Sequence, residues 1–195
     1  MNKLFGFLEL KESLLPTIPW KEYHEDTTFE SDRLWTVRTA VHRGDDLNLP
    51  RAVGVDGAEA KMFANNVLKK LRDNGMVIYY PYFLADKSGT LNVFNDRIVI
   101  EAVKEDLWNL VTYSNKDVTI IIDDHEVRYD GDETFITESE MTELMSYVGE
   151  IKRMFRDDLI EGKSVLLEWS YAFMCDKEKQ KIGDRYLVFY EARTV

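Results

Sequence analysis

The chain is poor in the residues that build disulfide, thiolate and histidine sites. Its 195 residues include one cysteine and three histidines. Cys175 alone cannot form an internal disulfide, and no CxxC partner or histidine cluster lies near it. His24, His42 and His125 occupy polar, loop-like stretches, as surface histidines do. The sequence therefore predicts an inert cysteine, no structural zinc site and no histidine acceptor for phosphate.

Surplus positive charge and long apolar runs are also missing. The sequence has 25 Lys and Arg residues and 36 Asp and Glu residues, which gives a formal net charge of −11. A protein that grips the phosphate backbone needs a surplus of Lys and Arg, so we expect no direct nucleic-acid binding. No apolar run reaches the about 18 residues of a membrane span, and the N-terminus lacks a signal-peptide core. We therefore expect no membrane partner and a cytoplasmic protein.

The residues that are present indicate one globular unit with two helices. The 45% apolar content is enough for one sizeable core, and we expect a single domain over residues 1–195. "DGAEAKMFANNVLKKLRDNG" has apolar spacings of three and four, with Asp56 and Glu59 placed as a capping box. "TESEMTELMSYVGEIKRMF" opens with Thr137 and Glu140 in the same arrangement, so it predicts a second helix.

The remaining regular segments have strand character. Short runs rich in β-branched and aromatic residues are separated by the turn-like "DKSG", "ND", "KED" and "SNK": "MVIYYPYFLA", "GTLNVF", "RIVIEAV", "DLWNLVTY" and "DVTIIID". "SVLLEWSYAFM" and "RYLVFYEARTV" then predict a closing hairpin. The fold class is therefore α+β, with a mostly antiparallel sheet, two main helices and a C-terminal β-hairpin.

Several charged residues interrupt these apolar strands. They are Arg38, Glu101, Glu168, Glu191 and Arg193. A charge on a buried strand face is costly unless it is paired, binds a metal or faces a wet cleft. The alternative is that each lies on the solvent face of a half-exposed strand.

Strand periodicity places the charges of the closing hairpin on defined faces. Residues two apart share a face, so Glu168 goes with Leu166, Ser170 and Ala172, and Glu191 with Leu187, Phe189 and Arg193. If the strands pair, the two carboxylates can lie close together and repel unless a cation lies between them. Mg²⁺ suits such a pair because it takes one or two carboxylates plus substrate phosphates, and arginines suit the phosphate.

These segments resemble a known family. "LMSYVGEIKRMF", "LLEWSYAF" and "YLVFYEARTV" are similar, in order, to the end of the ATP-grasp nucleotide-binding domain of phosphoenolpyruvate synthases and pyruvate phosphate dikinases. "WTVRTAVHRGDDLNLPRAVG" resembles the family's Val-Arg-Ser-Ser stretch and the loop after it. "VIYYPYFLADKSGTL" resembles the adenine-pocket strand, and "IVIEAVKEDLWNLV" the Glu-Ala segment. The likeness covers roughly residues 33–195.

The resemblance implies a site that binds ATP and Mg²⁺. Glu168 and Glu191 stand where the family has its metal ligands, a glutamate and a glutamine. Six residues would contact the nucleotide: Arg38, Thr39, Tyr82, Phe83, Glu101 and Arg193.

The chain also departs from the family pattern. No Gly-Gly-Lys stretch precedes Arg38, so residues 1–32 correspond to a reduced or rebuilt N-terminal lobe. "KEDLWNLV" replaces the Gly-Leu-Gly-Glu loop, Glu191 replaces the closing glutamine and Thr194 replaces a proline. No phosphohistidine domain or phosphoenolpyruvate barrel is present in these residues, which excludes the complete dikinase reaction for this chain alone.

The resemblance thus implies a stand-alone nucleotide-binding protein, whether or not it is an enzyme. One form of the hypothesis is an ATP-dependent phosphotransferase or ligase that acts with a protein partner. The alternative is a non-catalytic acidic interaction module or inhibitor that keeps the fold without the reaction. A third interpretation is a β-rich ligand carrier with an apolar pocket lined by "YYPYF".

Overall fold

The computed structural model describes residues 3–42, 49–71, 74–107, 110 and 116–195. In these ranges the chain forms ten strands: β1 Lys21–Glu22, β2 Trp35–Val41, β3 Arg51–Val55, β4 Gly75–Pro81, β5 Phe83–Val93, β6 Arg97–Lys104, β7 Val118–Asp123, β8 Val127–Gly131, β9 Val165–Cys175 and β10 Lys181–Thr194. It also forms five helices: α1 Lys3–Lys11, α2 Gly57–Leu71, α3 Glu138–Ser146, α4 Val148–Met154 and α5 Arg156–Ile160. None of these helices is long and apolar enough to cross a membrane.

The strands build two antiparallel sheets. The small sheet has four strands in the order β1-β4-β2-β3, and the large sheet has six in the order β10-β9-β5-β6-β7-β8. The C-terminal hairpin is β9 and β10, whose register pairs Val165 with Thr194. The predicted α+β class, the mostly antiparallel pairing and the closing hairpin are confirmed.

Three apolar clusters hold these layers together. The first lies between the large sheet and α3, α4 and α5, and it includes Ile151 and Trp169. The second joins both sheets and α1 through Ile78 of β4, Ala172 of β9 and Phe7. The third packs α2 on the small sheet. Because the second cluster contains residues from both sheets, the two sheets face each other, and the space between them is where a cleft can form.

Both segments predicted to be helical are helical, but the second is divided into three helices. The first predicted helix is α2, and the Glu59 backbone N–H donates to Asp56 Oδ1 at 2.9 Å, as a cap should. The second is broken into α3, α4 and α5. The first break is at Tyr147, whose ring packs edge-on against Phe189 of β10 at 5.7 Å between centroids. Helical periodicity in the sequence continues through this break.

The predicted turn at "DKSG" is wrong. Residues 86–89 lie inside β5, which runs from Phe83 to Val93 with an irregularity between Ala85 and Lys87. The predicted strand is interrupted earlier, at Tyr82, which connects β4 of the small sheet to β5 of the large one. Most of the strand predicted for "DLWNLVTY" lies outside the described residues.

The N-terminal segment supports both sheets. α1 packs on β10 so closely that a Cβ on Gly6 would meet the Ala192 carbonyl oxygen. Phe189 then exchanges backbone hydrogen bonds with the segment that follows, donating to Pro16 O at 2.8 Å and accepting from Ile18 N at 3.3 Å. β1 completes the edge of the small sheet beside β4. This segment therefore lies against the outer side of the hairpin strand β10.

Candidate functional site

A cleft of about 640 Å³ lies between the two sheets. The small sheet and its connections contribute Thr36, Arg38, Thr39, Leu49, Pro50, Arg51, Val53, Tyr80 and Tyr82 to its lining. The large sheet and the segment after β6 contribute Phe83, Ala85, Ser88, Asp106, Leu107, Glu168, Ser170, Tyr190, Glu191 and Arg193. The cleft is within the range of about 300–1,000 Å³ that is usual for small-ligand sites.

The structure brings seven of the eight predicted site residues to this cleft: Arg38, Thr39, Tyr82, Phe83, Glu168, Glu191 and Arg193. The Thr39 hydroxyl donates its proton to the Pro50 carbonyl at 2.9 Å, so it is not placed to donate to a ligand as well.

Glu101 is the predicted residue that the structure does not bring to the cleft. It lies in the same row across the large sheet as Glu168, with Thr90 of β5 between them. Two strand spacings separate it from Glu168, about 10 Å. Its carboxylate instead accepts from Lys116 at 3.0 Å, and both side chains are partly exposed. Glu101 is therefore placed as a surface ion-pair partner.

A β-bulge in β10 explains how Glu191 reaches the cleft. Phe189 pairs with Trp169 and Glu191 pairs with Glu168, so Tyr190 is an extra residue in this strand. Before the bulge Leu187 and Phe189 face the helix-side core. The extra residue reverses the alternation, so Tyr190 and Glu191, although consecutive, both line the cleft. The prediction that Glu191 shares a face with Leu187 and Phe189 is wrong for this reason, while its pairing with Glu168 is confirmed.

Glu191 is held by a buried ion pair between the two sheets. Arg38 Nη2 of β2 donates to Glu191 Oε2 at 2.8 Å, and the side chains are 12% and 2% exposed. Burial alone would lower the pKa of Arg38, but the carboxylates of Glu191 and Glu168 raise it above its usual value. Arg38 therefore stays charged and is the cation that the two facing carboxylates require.

The cleft tyrosines keep their protons at neutral pH. Burial raises the pKa of Tyr80, although a hydrogen bond from Arg38 works in the opposite direction. Burial also raises the pKa of Tyr190, with a further increase from the Glu168 carboxylate. Burial is the main cause of the raised pKa of Tyr82 as well. All three phenols can therefore act as hydrogen-bond donors to a ligand.

The residues present can hold a magnesium ion only together with a ligand. Among the described residues, no group of three or more His, Cys, Asp or Glu side chains could hold a metal. Glu168 and Glu191 provide one carboxylate pair, and Arg38 already neutralises part of its charge. Mg²⁺ needs about six oxygen ligands, and one or two carboxylates commonly suffice when phosphates and waters supply the others. The pair fits an ion that arrives with a phosphate and does not fit an ion bound by protein alone.

Sequence reasoning missed several polar residues of the lining. Ser88 and Ser170 face each other across β5 and β9, with their hydroxyl oxygens 2.8 Å apart. Arg51 is the register partner of Arg38 and adds a third arginine. Asp106 lies just after β6. Ser170 shares the Glu168 face of β9, a signal that alternation supplied. Only the pairing and packing of the sheets bring Ser88, Arg51 and Asp106 to the site.

No protein-family model and no curated protein matches the chain. One solved structure that is similar is N5-carboxyaminoimidazole synthetase from Staphylococcus aureus, with a TM-score of 0.49 and 12% identity. The match covers 98% of this chain and 43% of that one, so this chain spans less than half the length of that structure.

A second similar structure is the macrocyclase MdnC from Microcystis aeruginosa MRC, bound with the precursor peptide MdnA. Its TM-score is 0.41 at 9% identity, and the match covers 97% of this chain and 51% of that one. Values this low do not establish a shared fold or activity.

Proposed function

We propose that the cleft binds a nucleoside triphosphate together with Mg²⁺, in an ATP-grasp-like protein. The observation that carries the proposal is the convergence of Arg38, Glu168, Glu191 and Arg193 on one cleft between two sheets. Arg38 and Glu191 are 153 residues apart in the chain and form a bonded pair. The motifs that resemble the phosphoenolpyruvate synthase and pyruvate phosphate dikinase family support the proposal from the sequence side.

The charges of the cleft suit a metal–phosphate ligand. Arg38, Arg51 and Arg193 offer guanidinium groups, which bind phosphate with paired, charge-assisted hydrogen bonds. Glu168 and Glu191 offer carboxylate oxygens to the cation that accompanies a triphosphate. A purely anionic ligand would be repelled by the two carboxylates, and a free cation by the arginines. The combination favours a ligand that carries both charges.

The other part of the lining suits a planar base. Phe83 packs against Tyr190 at 5.9 Å and is stacked with Tyr80 at 6.5 Å between ring centroids. The Tyr82 ring packs over Gly54, where an added Cβ would lie 3.3 Å from the ring. Gly54 has a φ of 65°, a conformation that favours glycine, so the backbone allows this close approach. The aromatic wall is consistent with the predicted roles of Tyr82 and Phe83 beside an adenine ring.

In its catalytic form, the proposed protein is an ATP-dependent phosphotransferase or ligase that acts together with a protein partner. Phosphoryl transfer needs alignment and charge neutralisation more than covalent chemistry from the protein. Arg38, Arg51 and Arg193 would neutralise phosphate charge. Glu168 and Glu191 would hold the Mg²⁺, which would supply further positive charge there. The acceptor would be held by the partner.

The non-catalytic interaction module is the second candidate. It is favoured by one observation, that Glu191 is already bonded to Arg38. A site whose carboxylate pair has a buried arginine as counterion keeps its geometry without a nucleotide.

Thermal unfolding with separate ligands distinguishes the two candidates. Mg²⁺ alone should leave the melting temperature unchanged, because the carboxylate pair supplies too few ligands. Mg²⁺ with ATP should raise it, since a ligand at about 100 times its Kd stabilises the folded state by about 2.7 kcal/mol. A melting temperature that stays constant with Mg²⁺-ATP, together with no heat in calorimetry, would contradict the proposed function and favour the interaction module.

A further inference from the structure

The guanidinium of Arg38 has a neighbour that does not line the cleft. Its Cζ atom lies 5.2 Å from the centroid of the Phe7 ring in α1. Phe7 is 1% exposed and belongs to the second apolar cluster, behind the cleft lining. A cation within about 6 Å of a ring centroid is attracted to the ring, most strongly where both groups are shielded from water. Phe7 therefore supports Arg38 from outside the cleft.

The helix that carries Phe7 also contacts the strand that carries Glu191. Gly6 lies so close to β10 that a Cβ on it would meet the carbonyl oxygen of Ala192, the residue after Glu191. On the other side of the ion pair, Arg38 Nη2 donates to Glu191 Oε2 at 2.8 Å. α1 thus touches β10 beside Glu191 and touches Arg38 through the Phe7 ring, so the ring and the carboxylate hold the same guanidinium.

Phe7 is itself fixed by the segment that follows α1. The Trp20 ring packs edge-on against the Phe7 ring at 6.3 Å between centroids, and Trp20 Nε1 donates to the Phe7 carbonyl at 3.3 Å. Lys11 Nζ lies 4.1 Å from the centroid of the Trp20 ring, on the same helix as Phe7. A binding group is held precisely when the residues that support it are locked by packing and hydrogen bonds. Phe7 meets this condition for Arg38.

We propose that Phe7 is a positioning residue of the nucleotide site, which holds Arg38 in the orientation that binds a phosphate. The inference rests on the proposed nucleotide binding. An unrestrained arginine loses rotamer freedom when it binds a ligand, whereas Arg38 has already lost part of it through Phe7 and Glu191. A guanidinium carries several N–H donors, so the bond to Glu191 leaves donors for a phosphate. Phe7 contributes to binding only through Arg38.

The test measures the Kd for Mg²⁺-ATP by calorimetry in variants of the second apolar cluster. Phe7→Leu keeps a buried apolar side chain but removes the ring, so the Kd should rise about tenfold. Ile18→Val is the matched control, because it removes one methyl group from the same cluster in the same N-terminal segment. This control should lower the melting temperature and leave the Kd unchanged.

Phe7→Tyr separates the role of the ring from that of packing. The variant keeps the ring face but adds a hydroxyl at a buried position, so its melting temperature should fall as in Phe7→Leu. Its Kd should stay within about twofold of the parent value, because the cation still meets an aromatic face. Affinity should thus follow the ring, whereas stability should not.

NMR of the Arg38 side chain in the ligand-free protein gives a second readout, because an aromatic ring shifts the resonances of protons held near its face. The shift should be present in the parent and in Ile18→Val, and absent in Phe7→Leu. No such shift in the parent, an unchanged Kd in Phe7→Leu, or an equal weakening in Ile18→Val or Phe7→Tyr would overturn the positioning role and leave nucleotide binding intact. Absence of ATP binding in the parent protein would overturn both.

Discussion

The extra residue Tyr190 changes which side chains of β10 face the cleft. As the extra residue of the bulge, it shifts the phase of β10 and moves Glu191 from the core face to the cleft. Bulges that redirect a side chain are frequent beside active sites. A neighbouring irregularity at Asp86 does the same in β5, where Ala85 and Ser88 line the cleft and Lys87 faces the helices. The two strands that flank β9 thus both change phase beside the cleft.

Replacing Arg193 with Ala tests the phosphate contact. The change removes a charge-assisted hydrogen bond of roughly 1.5–3 kcal/mol, so the Kd for Mg²⁺-ATP should rise about tenfold to a hundredfold. Calorimetry at one Mg²⁺ concentration measures it. Arg128→Ala removes an arginine from the exposed strand β8 and should leave the Kd unchanged. A variant at Arg193 that binds as tightly as the parent would argue against phosphate contact.

Replacing Glu191 with Gln tests the buried ion pair. The change leaves the charge of Arg38 buried without its bonded carboxylate, which should lower the free energy of unfolding by about 3 kcal/mol. Urea titration measures the loss. Glu101→Gln breaks a partly exposed pair with Lys116 and should cost less than about 1 kcal/mol. Similar losses in the two variants would mean that the Arg38–Glu191 pair has no special structural role.

Among the helices and strands, α3 has the clearest sequence signal for the residue at which it begins. Thr137 accepts from Glu140 N through its hydroxyl at 3.3 Å, and Glu140 Oε2 accepts from Thr137 N at 2.8 Å, which completes a capping box. The sequence predicted this start because capping residues act over three positions, without any tertiary contact.

Thr137→Ala should therefore destabilise the protein by about 1 kcal/mol, the usual cost of a lost N-cap. Chemical unfolding measures the change. Thr142→Ala is a matched control in the same helix, because the Thr142 hydroxyl bonds only to the carbonyl of Glu138, one turn back. We expect that control to be neutral or slightly stabilising, since alanine favours helix interiors. A larger loss at Thr142 than at Thr137 would contradict the role of the cap.

At the scale of the whole molecule, a second buried charge network joins α3 to the large sheet. Glu140 is 2% exposed and bonds to Lys87 of β5 at 2.8 Å and to Arg185 of β10 at 2.7 Å. Burial alone would raise the pKa of Glu140, but hydrogen bonds from Lys87, Thr137 and Arg185 lower it below its usual value. The ionised carboxylate therefore stabilises the folded state.

This lowered pKa predicts a pH dependence of stability. The contribution of Glu140 is fully present above its unfolded pKa of about 4.5 and is lost as pH falls through the lower folded value. The difference in unfolding free energy between the parent and Glu140→Gln should thus be constant near neutral pH and shrink below about pH 4.5. Unfolding of both proteins across pH 3–7 measures it. Glu138→Gln, an exposed change in the same helix, should show no such narrowing.

The sequence by itself determined much of this protein. Local signals fixed the start of α2 at Asp56 and of α3 at Thr137, the antiparallel strands and the closing hairpin, because caps and alternation act over a few residues. The same alternation placed Glu168 on the cleft face together with Ser170. These features need no knowledge of what packs against each element.

Only the tertiary structure decided the rest. The bulge at Tyr190, the breaks in the predicted helix and the continuous course of β5 depend on contacts between elements, such as Tyr147 with Phe189. The pairing of Arg38 with Glu191 and the arrival of Asp106 at the cleft depend on how two sheets face each other. A bulge that shifts a strand by one residue reverses which side chains face the core. The local sequence does not reveal this shift, because both alternations fit the sequence pattern until the neighbouring layer packs against the strand.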